Sequence, residues 1–169
     1  MSERLVDIII GKLGGKISAE IICFIISLFP VLELRGGLLA ASILEVPILR
    51  ALIFCIIGNL IPVPMVLLGV EWLIEQLEKW KLTRKFALWL RNKADKNKAK
   101  IEKAGFWGLV LFVGIPLPGT GAWTGSLVAA MLHMPLKKSF LAVTLGVLLA
   151  AVIMTVISYG IPWVVQLIG

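Results

Sequence analysis

The sequence predicts an all-α membrane protein, an inverted repeat of two re-entrant helical hairpins that are each followed by a transmembrane helix. Three observations predict it. Of 169 residues, 59% are hydrophobic and only 16% are charged, whereas a soluble domain carries about a quarter of its residues charged. Apolar stretches long enough to span a bilayer alternate with shorter ones interrupted by proline, glycine or charge. The two halves also match at a constant offset of 88 positions, which carries Pro30 onto Pro118.

The charge is unevenly spread. Ten of the 17 Lys and Arg residues lie between Lys79 and Lys103, opposed there only by Asp95 and Glu102, so the net charge of +7 belongs mostly to one segment. Such a segment could bind nucleic acid, but beside apolar stretches of spanning length it marks the cytoplasmic face. Its expected partners are therefore anionic lipid headgroups and no nucleic acid. The first residues include Glu3, Asp7, Lys12 and Lys16, and no cleavable signal peptide is expected. Cys23 and Cys55 sit in apolar runs and read as small buried hydrophobes. With a single histidine and no CxxC spacing, no metal site is expected. No GxSxG elbow or Gly-Lys phosphate loop occurs, so neither a catalytic residue nor a cofactor is expected, and the chain does not read as an enzyme.

In chain order, residues 1–15 mix charge with apolar positions and read as an interfacial helix broken at Gly14-Gly15. Repeat 1 covers 16–78. Its hairpin, 16–45, has apolar arms on either side of Pro30 and the Glu33–Gly37 tip. Neither arm reaches the roughly 20 apolar residues that cross the hydrocarbon core. A transmembrane helix over 48–78 follows, with Gly58, Asn59, Pro62 and Pro64 predicting a kink. Trp72 and Trp80 suit the interfacial belt. Residues 79–104 form a basic amphipathic cytoplasmic linker, where Leu82, Phe86, Trp89 and Leu90 lie among Lys81, Arg84, Lys85 and Arg91. Repeat 2, 105–158, has a hairpin over 105–134 broken at Pro116–Gly121, then a transmembrane helix over 138–158. A tail, 159–169, ends the chain.

The repeat rests on residues that constrain backbone. Pro30 pairs with Pro118, Gly37 with Gly125, Pro47 with Pro135 and Gly58 with Gly146, while Arg50 meets Lys138. One span per repeat is an odd number of crossings, so a linker on one side inverts the second repeat. Inverted repeats with broken helices near the midplane are a recurrent transporter plan.

Glu33 and Arg35 are the candidate chemistry, because charge at membrane depth is costly and faces a protein interior or a water-filled cavity. Arg35 could hold an anion such as phosphate, and Glu33 could take up and release a proton. Alternatively they pair with each other, or the tip is wet. At i, i+2 they would share one side of an extended tip and splay apart on a helix. Gly36 and Gly37 complete this tip. In the second hairpin Pro118, Gly119, Thr120, Gly121, Trp123 and Thr124 combine unwound backbone with hydroxyls and an indole. They read as substrate-binding or as a tight structural turn. Asn59, Arg50 and Lys138 are secondary candidates.

Two motifs carry a resemblance: Glu33-Leu34-Arg35-Gly36 after Phe29-Pro30, and Pro116-Leu117-Pro118-Gly119-Thr120-Gly121-Ala122-Trp123-Thr124-Gly125. With them the chain resembles the small multidrug export protein family over nearly its whole length. That family is similar to the DedA superfamily of inverted-repeat, re-entrant membrane proteins. The latter likeness implies movement of lipid carriers, including undecaprenyl phosphate, across bilayers. DedA proteins place arginines around the second-hairpin proline, whereas this chain has Val113, Gly114, Ile115, Gly119 and Gly121. Arg35 would then bind phosphate without them, assisted by Arg50 and Lys138.

The leading expectation is a transporter or flippase for an amphipathic anion, a lipid-linked phosphate. It would work by alternating access at a midplane site between the two hairpins, with proton coupling through Glu33. The alternative is a proton-coupled exporter of small organic cations, using Glu33 with Trp123. A third is a non-transporting membrane scaffold. The expected location is the plasma membrane, multi-pass. Because two spans shield a polar site poorly from lipid, a homo-oligomer is expected.

Overall fold

A computed structural model describes residues 17–79, 83–85, 88, 92 and 105–160. The expected interfacial helix 1–15, most of the basic linker and the tail beyond Gly160 lie outside the described residues. The described chain is helical, without a strand. Its helices are α1 (Ala19–Leu28), α2 (Glu33–Ile43), α3 (Ile48–Leu60), α4 (Pro62–Lys79), α5 (Gly105–Gly114), α6 (Ala122–Met131) and α7 (Leu136–Thr155). One turn of π-helix, Val156–Gly160, ends α7.

Among the described residues, two segments are long and apolar enough to cross a bilayer: the 22 residues Ile48–Gly69 and the 25 residues Leu136–Gly160. By contrast α1, α2, α5 and α6 are too short to cross as helices. Each long segment also carries an apolar outward face. Leu49, Ile53, Ile57 and Ile61 recur four apart along the first, all exposed, and Leu148, Val152 and Val156 do so on the second. Contiguous apolar stripes of this kind are costly in water and favourable against lipid. Pro62 and Pro64 interrupt the first segment between α3 and α4 because they lack the N–H that the helix ladder needs. Gly69 leaves helical geometry within α4.

The chain forms two compact units, Met1–Ile61 with Val147–Gly169, and Pro62–Gly146. In the first, α1 and α2 form a hairpin packed along α3. Contacts between α1 and α3 climb together, from Glu20 with Arg50, through Cys23 with Cys55, to Phe24 and Ser27 with Gly58. The two helices are therefore parallel, and α2 runs opposite to both. Gly37 sits where all three meet. A Cβ there would overlap Ser27 Oγ and stand 2.9 Å from Cys55 Sγ and 3.0 Å from the Cys23 carbonyl. The π-turn is fastened to the foot of α2. Ser42 Oγ donates to the Ser158 carbonyl at 2.6 Å, and the Tyr159 hydroxyl donates to the Val46 carbonyl at 3.0 Å.

The second unit holds α4 against α6, and α5 packs with α6 and the start of α7. Gly125 of α6 is pressed on Val113, and a Cβ on Gly146 of α7 would stand 2.5 Å from Val113 Cβ and 2.9 Å from the Val110 carbonyl.

Bond for bond, the same local structure occurs twice. Leu44 donates to Ala40, Glu45 to Ser42 and Val46 to Ala41. At the offset of 88, Leu132 donates to Val128, His133 to Ala130 and Met134 to Ala129. Glu45 and His133 both occupy the left-handed region, at φ 55° and 50°. The Ala51-to-Pro47 bond recurs as Ser139-to-Pro135. Only the first arms depart from this offset. Gly58 meets Phe24 and Ser27, while Gly146 meets Val110 and Val113, so the second turn holds two extra residues.

Candidate functional site

The turn between α1 and α2 is made by Phe29–Leu32, with Pro30 ending α1. Glu33 follows at φ 51°, a left-handed conformation that a side chain with a Cβ enters at a cost of about 1–2 kcal/mol. Its amide donates to the Phe29 carbonyl at 2.9 Å, which closes the turn. Strain of this sort in a polar residue is a pointer to function. The Glu33 side chain is only 5% exposed. Arg35 is half-buried and feels the Glu33 charge. Both are already in the first turn of α2, so they are not neighbours on one side of an extended tip. Residues two apart on a helix do not face each other.

Gly36 and Gly37 serve packing. A Cβ on Gly36 would meet Leu32 Cβ at 2.8 Å, and Gly37 is closed in as described above. Both glycines therefore have a steric reason for their size.

Asn59 ends the buried face of α3, which runs Ala51, Cys55, Gly58, Asn59. It is 2% exposed, and its Oδ1 has no hydrogen-bond partner. Arg50 lies at the other end of α3 and pairs with Glu20 at 3.3 Å, largely exposed. A hydrogen bond to its own backbone, with Arg50 contributing, holds the Glu20 carboxyl below the usual carboxylate range. Arg50 is thus committed near the hairpin's open end, nine residues along the helix from Asn59, or roughly 13.5 Å at about 1.5 Å per residue. Lys138 is exposed in the first turn of α7.

In the second unit the break lies at the Pro116–Gly121 segment. Regular helix resumes at Ala122, so Trp123 and Thr124 are helical and only 115–121 is unwound. Gly119 and Gly121 take φ 80° and 136°, which suits residues without a Cβ. Pro118, just before them, is exposed. Thr120 Oγ1 sits 2.9 Å from both the Ile115 and the Leu117 carbonyls, so it caps its own loop. Thr124 is buried, and buried Ser126 Oγ has no partner. The described residues contain no group of three or more metal-ligating side chains.

Sequence reasoning undervalued Ser42, Ser158 and Tyr159. The small-polar pair Ser158-Tyr159 at the end of an apolar helix was the available signal.

A family profile described as "Putative small multi-drug export protein" matches residues 33–153, from Glu33 itself to within α7. The chain belongs to that family. No curated protein and no solved structure matches the chain. As a member of the small multi-drug export family with two apolar segments of spanning length, it is a membrane protein of export type. Its family match favours the small-molecule export reading over the lipid-phosphate one, and the relation to DedA proteins is not part of what the match shows.

Proposed function

We propose that this protein exports small organic cations across the plasma membrane, with the Glu33 carboxylate as the group their charge meets. The observation that carries this reading is a carboxylate 5% exposed on a strained turn of a membrane protein. Buried charge persists only where something offsets its desolvation. Arg35, which feels the Glu33 charge, does so in part, and a bound organic cation does so when the site is loaded. A small inorganic cation exchanging for it does so when the site is empty of substrate, with the proton as the simplest case. The basic linker, 79–104, lies on the cytoplasmic side in this reading, held by anionic lipid.

Arg35 favours a second reading. A half-buried guanidinium beside the same turn is suited to a phosphate headgroup, which would make a lipid-linked phosphate the cargo.

Binding separates the two. Purified protein in nanodiscs is titrated with tetraphenylphosphonium and, separately, with undecaprenyl phosphate. The exporter reading expects tetraphenylphosphonium to bind the parent and Arg35→Ala but not Glu33→Gln. Binding of the lipid phosphate that is lost in Arg35→Ala, with no tetraphenylphosphonium binding by the parent, would replace it with the second reading.

A further inference from the structure

The chain holds two cysteines, 32 positions apart, and both are free thiols. The fold brings them together. Cys23 of α1 and Cys55 of α3 stand at one level of two parallel helices, and both are fully buried. Cys55 Sγ lies 4.0 Å from the Cys23 carbonyl, and the two thiols are within hydrogen-bonding reach of each other. Gly37 of α2 closes the third side, where a Cβ would stand 2.9 Å from Cys55 Sγ.

Packing alone does not call for sulfur here. Gly58 meets Phe24 and Ser27 where Gly146 meets Val110 and Val113, so the first arms of the two halves match at an offset of 86 and the spans at 88. Cys23 and Cys55 therefore correspond to Leu109 and Val143, which are equally buried. Aliphatic side chains fill the same niche in the second half. What distinguishes the first half is the chemistry of two adjacent thiols, since reactivity rather than packing sets a buried cysteine apart from a small hydrophobe. A monovalent soft metal ion held between two thiolates would leave a net charge in an apolar core. A disulfide is neutral.

We propose that Cys23 and Cys55 form a reversible disulfide that clamps α1 to α3 and holds the first hairpin closed. Two S–H bonds break and one S–S bond forms. The two electrons and two protons pass to a neutral, lipid-permeable oxidant of the diazene or quinone class, which becomes the hydrazine or the quinol. A dithiol reductant reverses the step by exchange. The bond keeps the two Cα atoms within about 7 Å of each other, so α1 and α3 can no longer part at this level, and α2 is pinned through Gly37. For its effect on export the inference rests on the exporter reading. Glu33 begins α2 one turn before Gly37, and at 5% exposure it loads a cation only when the hairpin loosens. The oxidised protein is therefore arrested.

The test uses the full chain in proteoliposomes treated with diamide. Excess oxidant is removed, the chain is denatured in the presence of N-ethylmaleimide, and its mass is measured. A monomer lighter by two hydrogens that takes up no maleimide is expected, with two maleimides per chain after dithiothreitol. Two thiols still alkylated after diamide, or a disulfide-linked dimer, overturns the pair. Ethidium flux in the same vesicles reads the clamp. It is expected to fall to the empty-liposome rate on oxidation and to return with dithiothreitol. Cys55→Val, which installs the residue of the second half, is expected to keep its flux through both treatments. Should that variant fail to fold, Cys55→Ala serves in its place. A disulfide formed without loss of flux overturns the clamp. A parent without flux even when reduced removes the exporter reading instead. The clamp is then read as a rise in Tm on oxidation that Cys55→Val lacks, and an unchanged Tm overturns it.

Discussion

Gly146 of α7 rests on Val113 of α5 with room for a hydrogen and nothing larger, since a Cβ on the glycine would stand 2.5 Å from Val113 Cβ. Gly125 of α6 presses on the same valine from another helix, against its Cγ2. One side chain thus sets the spacing of three helices, and the two glycines are expected to respond differently when it is trimmed. Gly125→Ala and Gly146→Ala should each lower stability by about 1–3 kcal/mol through overpacking, read as Tm in detergent. Val113→Ala removes the atom that Gly125→Ala strikes and should restore most of that loss. It leaves Cβ and the Val110 carbonyl in place and should not rescue Gly146→Ala.

Glu33 trades stability for its position. Its φ of 51° is one that glycine adopts freely, and glycine stands at the matched position, Gly121. Glu33→Gly removes both the strain and the buried carboxylate, so its Tm should rise above the parent's while tetraphenylphosphonium binding disappears. Glu45→Gly relieves a similar strain at φ 55° on an exposed residue. It should gain up to about 1 kcal/mol with binding unchanged.

The π-turn is held by two hydrogen bonds from opposite directions, Ser42 to the Ser158 carbonyl and Tyr159 to the Val46 carbonyl. Ser42→Ala and Tyr159→Phe should each cost about 0.5–1.5 kcal/mol, measured by thermal unfolding. The double variant should release the turn, seen as faster amide hydrogen exchange at 156–160 with α1 to α3 still protected.

The exposed stripe of the first span faces lipid. Arginine at Ile57, which is 50% exposed and near the middle of Ile48–Gly69, should cost about 2.5–3.5 kcal/mol of insertion free energy and sharply reduce the membrane-inserted fraction. Arginine at Leu49, at the end of the same stripe, should be tolerated because it can reach the interface.

Residues that constrain backbone made much of this legible in the sequence. Pro30, the Pro47/Pro135 pair and the Gly58/Gly146 pair mark turns and close approaches at a constant offset, and the hydrogen bonds around Leu44–Val46 and Leu132–Met134 repeat at that offset. The two-residue shift of the first arms was not legible, because Ile, Leu, Val and Phe fit either register of an apolar helix. The second break was legible in Pro116, Pro118, Gly119 and Gly121. Nothing after Pro118 forbids helix once Gly121 has made the turn, so Trp123 and Thr124 are helical. The unpartnered Oδ1 of Asn59 was not legible either. A lone amide in an apolar run has many structural uses, and its unmet Oδ1 is a property of the packing. The left-handed Glu33 was equally hidden, because its neighbours Leu32 and Leu34 give no sign of a turn.

Ethidium movement in proteoliposomes bears most directly on Glu33. Parent protein and Glu33→Gln, matched for folding by Tm, are reconstituted, and dye flux is followed under an imposed inorganic cation gradient. The expected result is gradient-driven flux in the parent and flux at the empty-liposome rate in Glu33→Gln. Equal flux in the two would contradict a role for the buried carboxylate in export.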